Sequence, residues 1–168
     1  MKHIKNILVV ISITMLSISA FGQTKIKLEK DGGIYKIQCK VNGAPMKMYF
    51  DTGATVVSIS LSTAMYLLEN DLVEREDFVG LTKTMTADGS VIDNMKLIIK
   101  DVEIAGLHLK NVEAVVSSSS TAPLLLGQSA IGKLGKITLD GDFLIIHSIS
   151  NQERSRSEER RVGKECRS

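Results

Sequence analysis

Apolar and polar residues alternate through most of the chain between residues 34 and 147, and turn residues break the alternation at short intervals. Along Ile34–Val41, Ile34, Lys36, Gln38 and Lys40 fall on one side, and Tyr35, Ile37, Cys39 and Val41 on the other. A period of two marks a half-buried strand. Asn42-Gly43 follows, a pair that accepts positive φ at both positions and so favours a two-residue hairpin. Residues 46–50 form the return strand and 56–60 a third. Residues 81–87 and 90–100 flank Asp88-Gly89 as a long hairpin, and 102–104 and 107–116 flank Ala105-Gly106 as a second. Leu124-Leu125-Leu126-Gly127 is wholly apolar before its glycine, as a buried strand is. Residues 137–139 and 143–147 close the pattern around Asp140-Gly141.

The period changes once. Ala64, Met65, Leu67 and Leu68 share one side of a helix that Ser62 would cap and that ends near Glu69-Asn70. Residues 71–79 are irregular, with Leu72, Val73 and Phe78 as pins. Residues 117–121 are a polar loop, and 129–133 make one helical turn. Short strands with frequent turns and one or two short helices predict an all-β barrel or sandwich.

Both ends fall outside the pattern. Residues 1–22 read as a signal peptide: Lys2 and Lys5 give a basic start, residues 7–20 are apolar apart from Ser and Thr, and Ala20 and Gly22 are small. The expectation is cleavage before Gln23 and export to the periplasm or outside the cell. An uncleaved membrane anchor is the alternative, for which the apolar run is short. Residues 151–168 read as a disordered tail, and 156–168 resemble the in-frame translation of a sequencing adapter, an artefact outside the fold. A single domain over residues 23–150 remains.

These exclusions change the charge. The full chain carries a net charge of +2, but residues 23–155 hold 14 Lys and Arg against 16 Asp and Glu. No basic patch with interleaved aromatics remains, so a nucleic-acid partner is not expected. Cys39 is left as the domain's lone cysteine, with no intrachain disulfide open to it, and is expected to be a small buried hydrophobe. His108 and His147 stand singly, without partners at metal-ligand spacing, so no metal or cofactor is expected.

The chemistry gathers at Asp51-Thr52-Gly53. An apolar strand runs into a carboxylate, a hydroxyl and a glycine, and then into another apolar strand, which would set one acid in a tight loop on the floor of a cleft. With its surroundings, this segment resembles the retropepsin-like aspartic proteases, especially their bacterial exported branch. The matching pieces occur in order: the Asn42-Gly43 hairpin, Phe50-Asp51-Thr52-Gly53-Ala54-Thr55, the helix at 62–68, Thr86-Ala87-Asp88-Gly89, Asn111-Val112-Glu113-Ala114-Val115-Val116, Leu125-Leu126-Gly127 and Leu134-Gly135-Lys136-Ile137.

The resemblance implies an acid-protease barrel, one lobe per chain, that cleaves peptide or protein substrates near mildly acidic to neutral pH. Catalysis of this kind uses a water held between two carboxylates that share one proton. The chain has one such acid. Asp31-Gly32, Asp88-Gly89 and Asp140-Gly141 lack the intervening hydroxyl and read as turns. A homodimer would therefore supply Asp51 twice across a two-fold axis. By position, Thr52 would bond to the opposite loop, Gly53 would donate its amide to the carboxylate, and Ala54 would leave room for substrate. Leu126 and Gly127 would pack behind the loop. Thr86, Ala87, Asp88, Gly89 and Ser90 would form a flap over an extended peptide, although no large aromatic stands at its tip. Two readings stay open beside the enzyme: a family member without turnover that binds peptide or dimerises, and a monomeric barrel that binds a peptide or small apolar ligand.

Overall fold

In a computed structural model, the described residues are 23–85 and 89–147. The expected signal and tail lie outside them, as do Thr86, Ala87 and Asp88 of the expected flap. The strands are β1 (Thr24–Lys27), β2 (Glu29–Asp31), β3 (Ile34–Val41), β4 (Ala44–Phe50), β5 (Val57–Ile59), β6 (Phe78–Met85), β7 (Val91–Ile104), β8 (Leu107–Val116), β9 (Leu125–Leu126), β10 (Ile137–Asp140) and β11 (Phe143–Ile146). Two short helices, α1 (Leu61–Glu69) and α2 (Gln128–Ile131), interrupt them. The all-β expectation holds.

The larger sheet runs in the order β2-β3-β4-β9-β5-β8-β7-β6, and a further β3–β7 pairing brings its two halves together as a barrel. The β3–β4 hairpin turns at Asn42-Gly43, with φ of 47° and 90°, the positive values that a right-twisted two-residue hairpin requires. Asn42 does more than turn. Its Nδ2 donates to the Leu72 carbonyl at 2.6 Å, and its Oδ1 accepts the Asp101 amide at 2.8 Å. The turn is thereby tied to β7 and to the segment after α1. Alternation along β3 buries Ile37, Cys39 and Val41 and leaves Gln38 and Lys40 outside.

A smaller sheet, β1-β11-β10, carries the two ends of the domain. Leu28, between β1 and β2, is buried and donates its amide to the Asp142 carbonyl at 2.8 Å. Leu28, Leu144 and Ile146 join the same apolar core as the barrel residues Ile37, Met48, Ile59, Leu97, Ile99 and Leu126.

Several details depart from the sequence reading. β7 is one strand of 14 residues rather than two pieces, because Lys100 and Asp101 keep the extended backbone while their side chains meet partners outside the core. β1 and β2 were not anticipated: β2 has all three residues exposed, and β1 alternates without a large apolar run. The cap of α1 is Ser60, not Ser62. Ser60 is extended, and its Oγ accepts the Thr63 amide at 3.1 Å. Ser62 lies one position inside the helix and donates instead to the Ser120 carbonyl at 2.6 Å. Only Ala64 and Leu67 of the expected apolar side are buried.

Cys39 is buried as expected, and that burial pushes its thiol up to about 12. The folded state keeps the proton while an unfolded thiol ionises near the ordinary value of 9.0. This contribution to stability is therefore complete below about pH 9 and is lost progressively as pH rises toward 12. In a Cys166→Ser background, Cys39 should resist a disulfide-exchange reagent at pH 8 until urea unfolds the chain. Ser60→Ala should cost about 1 kcal/mol by urea titration, since it leaves the first turn of α1 uncapped.

Candidate active site

β4 ends in buried Phe50 and delivers Asp51 into the loop before β5. The chain reverses here because the Asp51 side chain organises the backbone that follows it. Its Oδ1 accepts the amides of Gly53 at 2.8 Å and Ala54 at 3.3 Å. Asp51 is half-buried, and its Oδ2 has no hydrogen-bond partner among the described residues. No Lys or Arg forms an ion pair with it among those residues. The loop thus fixes one carboxylate oxygen and leaves the other available. Gly53 is suited to its place, since a Cβ there would sit 3.2 Å from Asp51 Oδ1.

The loop is held from behind by a segment about 75 residues away. β9 inserts between β4 and β5, parallel to β4 (Tyr49↔Leu125, Phe50↔Leu126) and antiparallel to β5 (Ser58↔Leu125). Asp51 donates its amide to the Leu126 carbonyl at 3.2 Å. Beyond β9 the amides of Gln128 and Ser129 reach the carbonyls of Ala54 at 2.8 Å and Thr55 at 3.1 Å. Leu126 is fully buried beneath this crossing. Gly127 passes so close under the loop that a Cβ would overlap the Val56 carbonyl and crowd that of Ala54. The apolar Leu126-Gly127 pair therefore meets the acid loop, and the glycine is demanded by close approach, not by a positive φ.

Two side chains of this clamp were not anticipated. Gln128 Nε2 donates to the Thr52 carbonyl at 2.9 Å. Ser129 Oγ accepts the Val57 amide at 2.9 Å and donates to the Glu113 carbonyl at 2.6 Å, joining the loop to β8. The available signal was two polar residues directly after Leu-Leu-Gly, of which only Ser129 was read as the start of a helical turn. The Thr52 side chain is exposed and has no hydrogen-bond partner among the described residues.

The flap residues belong to a separate element. β6 and β7 pair from Phe78↔Leu97 to Met85↔Val91, so residues 86–90 connect them. Thr86, Ala87 and Asp88 lie outside the described residues; Gly89 has φ of 85° and, like Ser90, is exposed. On the hairpin, buried Asn94 donates to Thr84 Oγ1, and Asn94 Oδ1 has no partner among the described residues. No group of three His, Cys, Asp or Glu side chains gathers among the described residues.

The family described as gag-polyprotein putative aspartyl protease matches residues 37–133, from the middle of β3 to the turn after α2. Among solved structures, the chain is similar to the crystal structure of a retropepsin-like aspartic protease from Rickettsia conorii, with a TM-score of 0.58 and 24% identity over 74% of this chain and 89% of that one. At that identity the likeness speaks to the fold, which it gives as a retropepsin-like lobe. No curated protein matches the chain.

The clamp makes two predictions. Gly127→Ala should cost more than about 3 kcal/mol or prevent folding, because the added methyl meets the backbone of Val56 and Ala54. Ser129→Ala should cost about 1–3 kcal/mol by urea titration, because it leaves the Val57 amide without its acceptor.

Proposed function

The chain belongs to the gag-polyprotein putative aspartyl protease family, and from that premise we propose that it is an exported aspartic endopeptidase in which Asp51 from each of two copies activates one water. The observation that carries this reading is the state of Asp51. One oxygen is fixed by two amides of its own loop, and the other has no hydrogen-bond partner among the described residues. The loop sits on a buried, hydrogen-bonded base, which suits the preorganisation that electrostatic catalysis requires.

In the proposed reaction the water lies between two Asp51 carboxylates that hold one proton. The ionised carboxylate takes a proton from the water as its oxygen attacks the peptide carbonyl. The protonated one gives its hydrogen to the carbonyl oxygen, producing a neutral tetrahedral diol. Collapse of the diol breaks the C–N bond: one carboxyl passes its proton to the leaving nitrogen while the other carboxylate takes a proton from a diol hydroxyl, which becomes the new carbonyl, so the pair again holds one proton. The exposed Thr52 side chain is the group proposed to bond across the two-fold axis. The β6–β7 hairpin would lie over an extended peptide and bind it by strand addition.

Asp51→Asn should fold normally and lower cleavage of a peptide library by at least about a thousandfold. Wild-type chain should sediment as a dimer at the concentrations where it cleaves. An Asp51→Asn protein that still cleaves would contradict the reading. A wild type that binds peptide without ever cleaving it would favour the turnover-free binding module.

A further inference from the structure

Away from the Asp51 loop, a groove of about 560 Å³ lies between α1 and the β6–β7 hairpin. Leu61, Met65 and Leu68 line it from the helix, and Phe78, Leu81 and Met95 from the hairpin. None of Asp51, Thr52, Gly53, Ala54, Leu126 or Gly127 borders it. The walls are open as well as apolar: Leu81 is 75% exposed, Met65 52% and Met95 45%. Apolar surface left uncovered in a contiguous patch marks a binding site more often than isolated surface residues do. The volume falls within the range of small-molecule sites, about 300–1,000 Å³.

The charges around the groove select the ligand. Arg75 borders it, and its guanidinium makes no hydrogen bond or ion pair among the described residues. The acids near Arg75 are engaged elsewhere: Lys100 holds Glu74 at 2.7 Å and Asp77 at 3.3 Å. Asp93, the acid that borders the groove, is paired with Lys83 at 3.0 Å. Glu76 does not border it. One uncommitted cation therefore stands beside an apolar trough. Asn94 does not break the apolar wall with its amide, because the Thr82↔Asn94 register and the bond to Thr84 put that amide on the strand face opposite Leu81 and Met95.

We propose that this groove binds a free medium-chain carboxylic acid, with the alkyl chain against the Leu and Met side chains and the carboxylate on Arg75. Unbranched methionines adapt to a flexible alkyl chain, and a guanidinium presents two parallel donors to a carboxylate. An anionic membrane surface is a poorer match, since it is recognised by clusters of cations and Arg75 is the one cation lining the groove among the described residues. Leu81 and Met95 belong to the strands that lead to the flap, so the ligand would touch the base of that hairpin.

The test is calorimetric titration of the full chain with decanoate below its micellar concentration. Saturable 1:1 binding is expected. Arg75→Gln should weaken it about tenfold, and methyl decanoate should bind the wild type and Arg75→Gln equally. Met65→Glu, at a position that is 52% exposed, should abolish binding while leaving the thermal unfolding transition intact. Absence of saturable binding would overturn the proposal, as would an Arg75→Gln affinity equal to wild type. Full binding by Met65→Glu would place the ligand elsewhere. Association with anionic phospholipid vesicles but not with decanoate would replace the free acid by a membrane surface and overturn it too. These readouts do not involve peptide cleavage, so they stand or fall apart from the protease reading.

Discussion

The backbone crossing between residues 51–57 and residues 124–129 is the constraint on which the rest of the candidate site depends. Asp51 can hold its own loop only if that loop has a fixed base. The base is supplied by carbonyls and amides of a segment distant in sequence: Tyr49 to Leu124 at 2.8 Å, Asp51 to Leu126, and Gln128 and Ser129 back to Ala54 and Thr55. Each of these groups would otherwise be a polar backbone atom at or near the core, where an unmet donor or acceptor is costly. The crossing closes only because Gly127 has no side chain. A carboxylate is thus positioned by an interaction that contains no carboxylate, and the glycine matters as much to the site as the aspartate.

Much of this was legible in the sequence, and the physical reason is periodicity. The β3–β4 hairpin announced itself through a clean period of two and an Asn-Gly turn whose φ values are those the turn demands. Asp51-Thr52-Gly53 was legible because an acid, a hydroxyl and a glycine interrupt an apolar run. Leu125-Leu126-Gly127 was legible as a buried strand, but its place behind the acid loop came only from the family resemblance, since nothing local reveals that a two-residue strand lies between β4 and β5. The bonds of Gln128 and Ser129 to the loop were missed for the same reason: their partners there, Thr52 and Val57, are 76 and 72 residues away. β2 was missed because its Glu29, Lys30 and Asp31 are all exposed and carry no apolar period. The cap of α1 was displaced by two residues because two serines were available, and only their backbone geometry separates them.

The molecule divides its work between a rigid floor and a less enclosed hairpin. The floor is built from fully buried Met48, Val57, Ile59 and Leu126, with Asp51 rising from it. The far end of the hairpin carries Met85 and Val91, both more than half exposed. An acid on close-packed backbone beside a hairpin whose far end is exposed gives the two parts unequal local stability. The groove beside α1 touches the hairpin near its base, where the packing of the floor gives way.

The central claim is that one catalytic centre is shared by two chains. Titration of the purified protein with a tight-binding inhibitor that mimics the tetrahedral diol measures this directly. Saturation is expected at one inhibitor for every two chains. Saturation at one inhibitor per chain would contradict it.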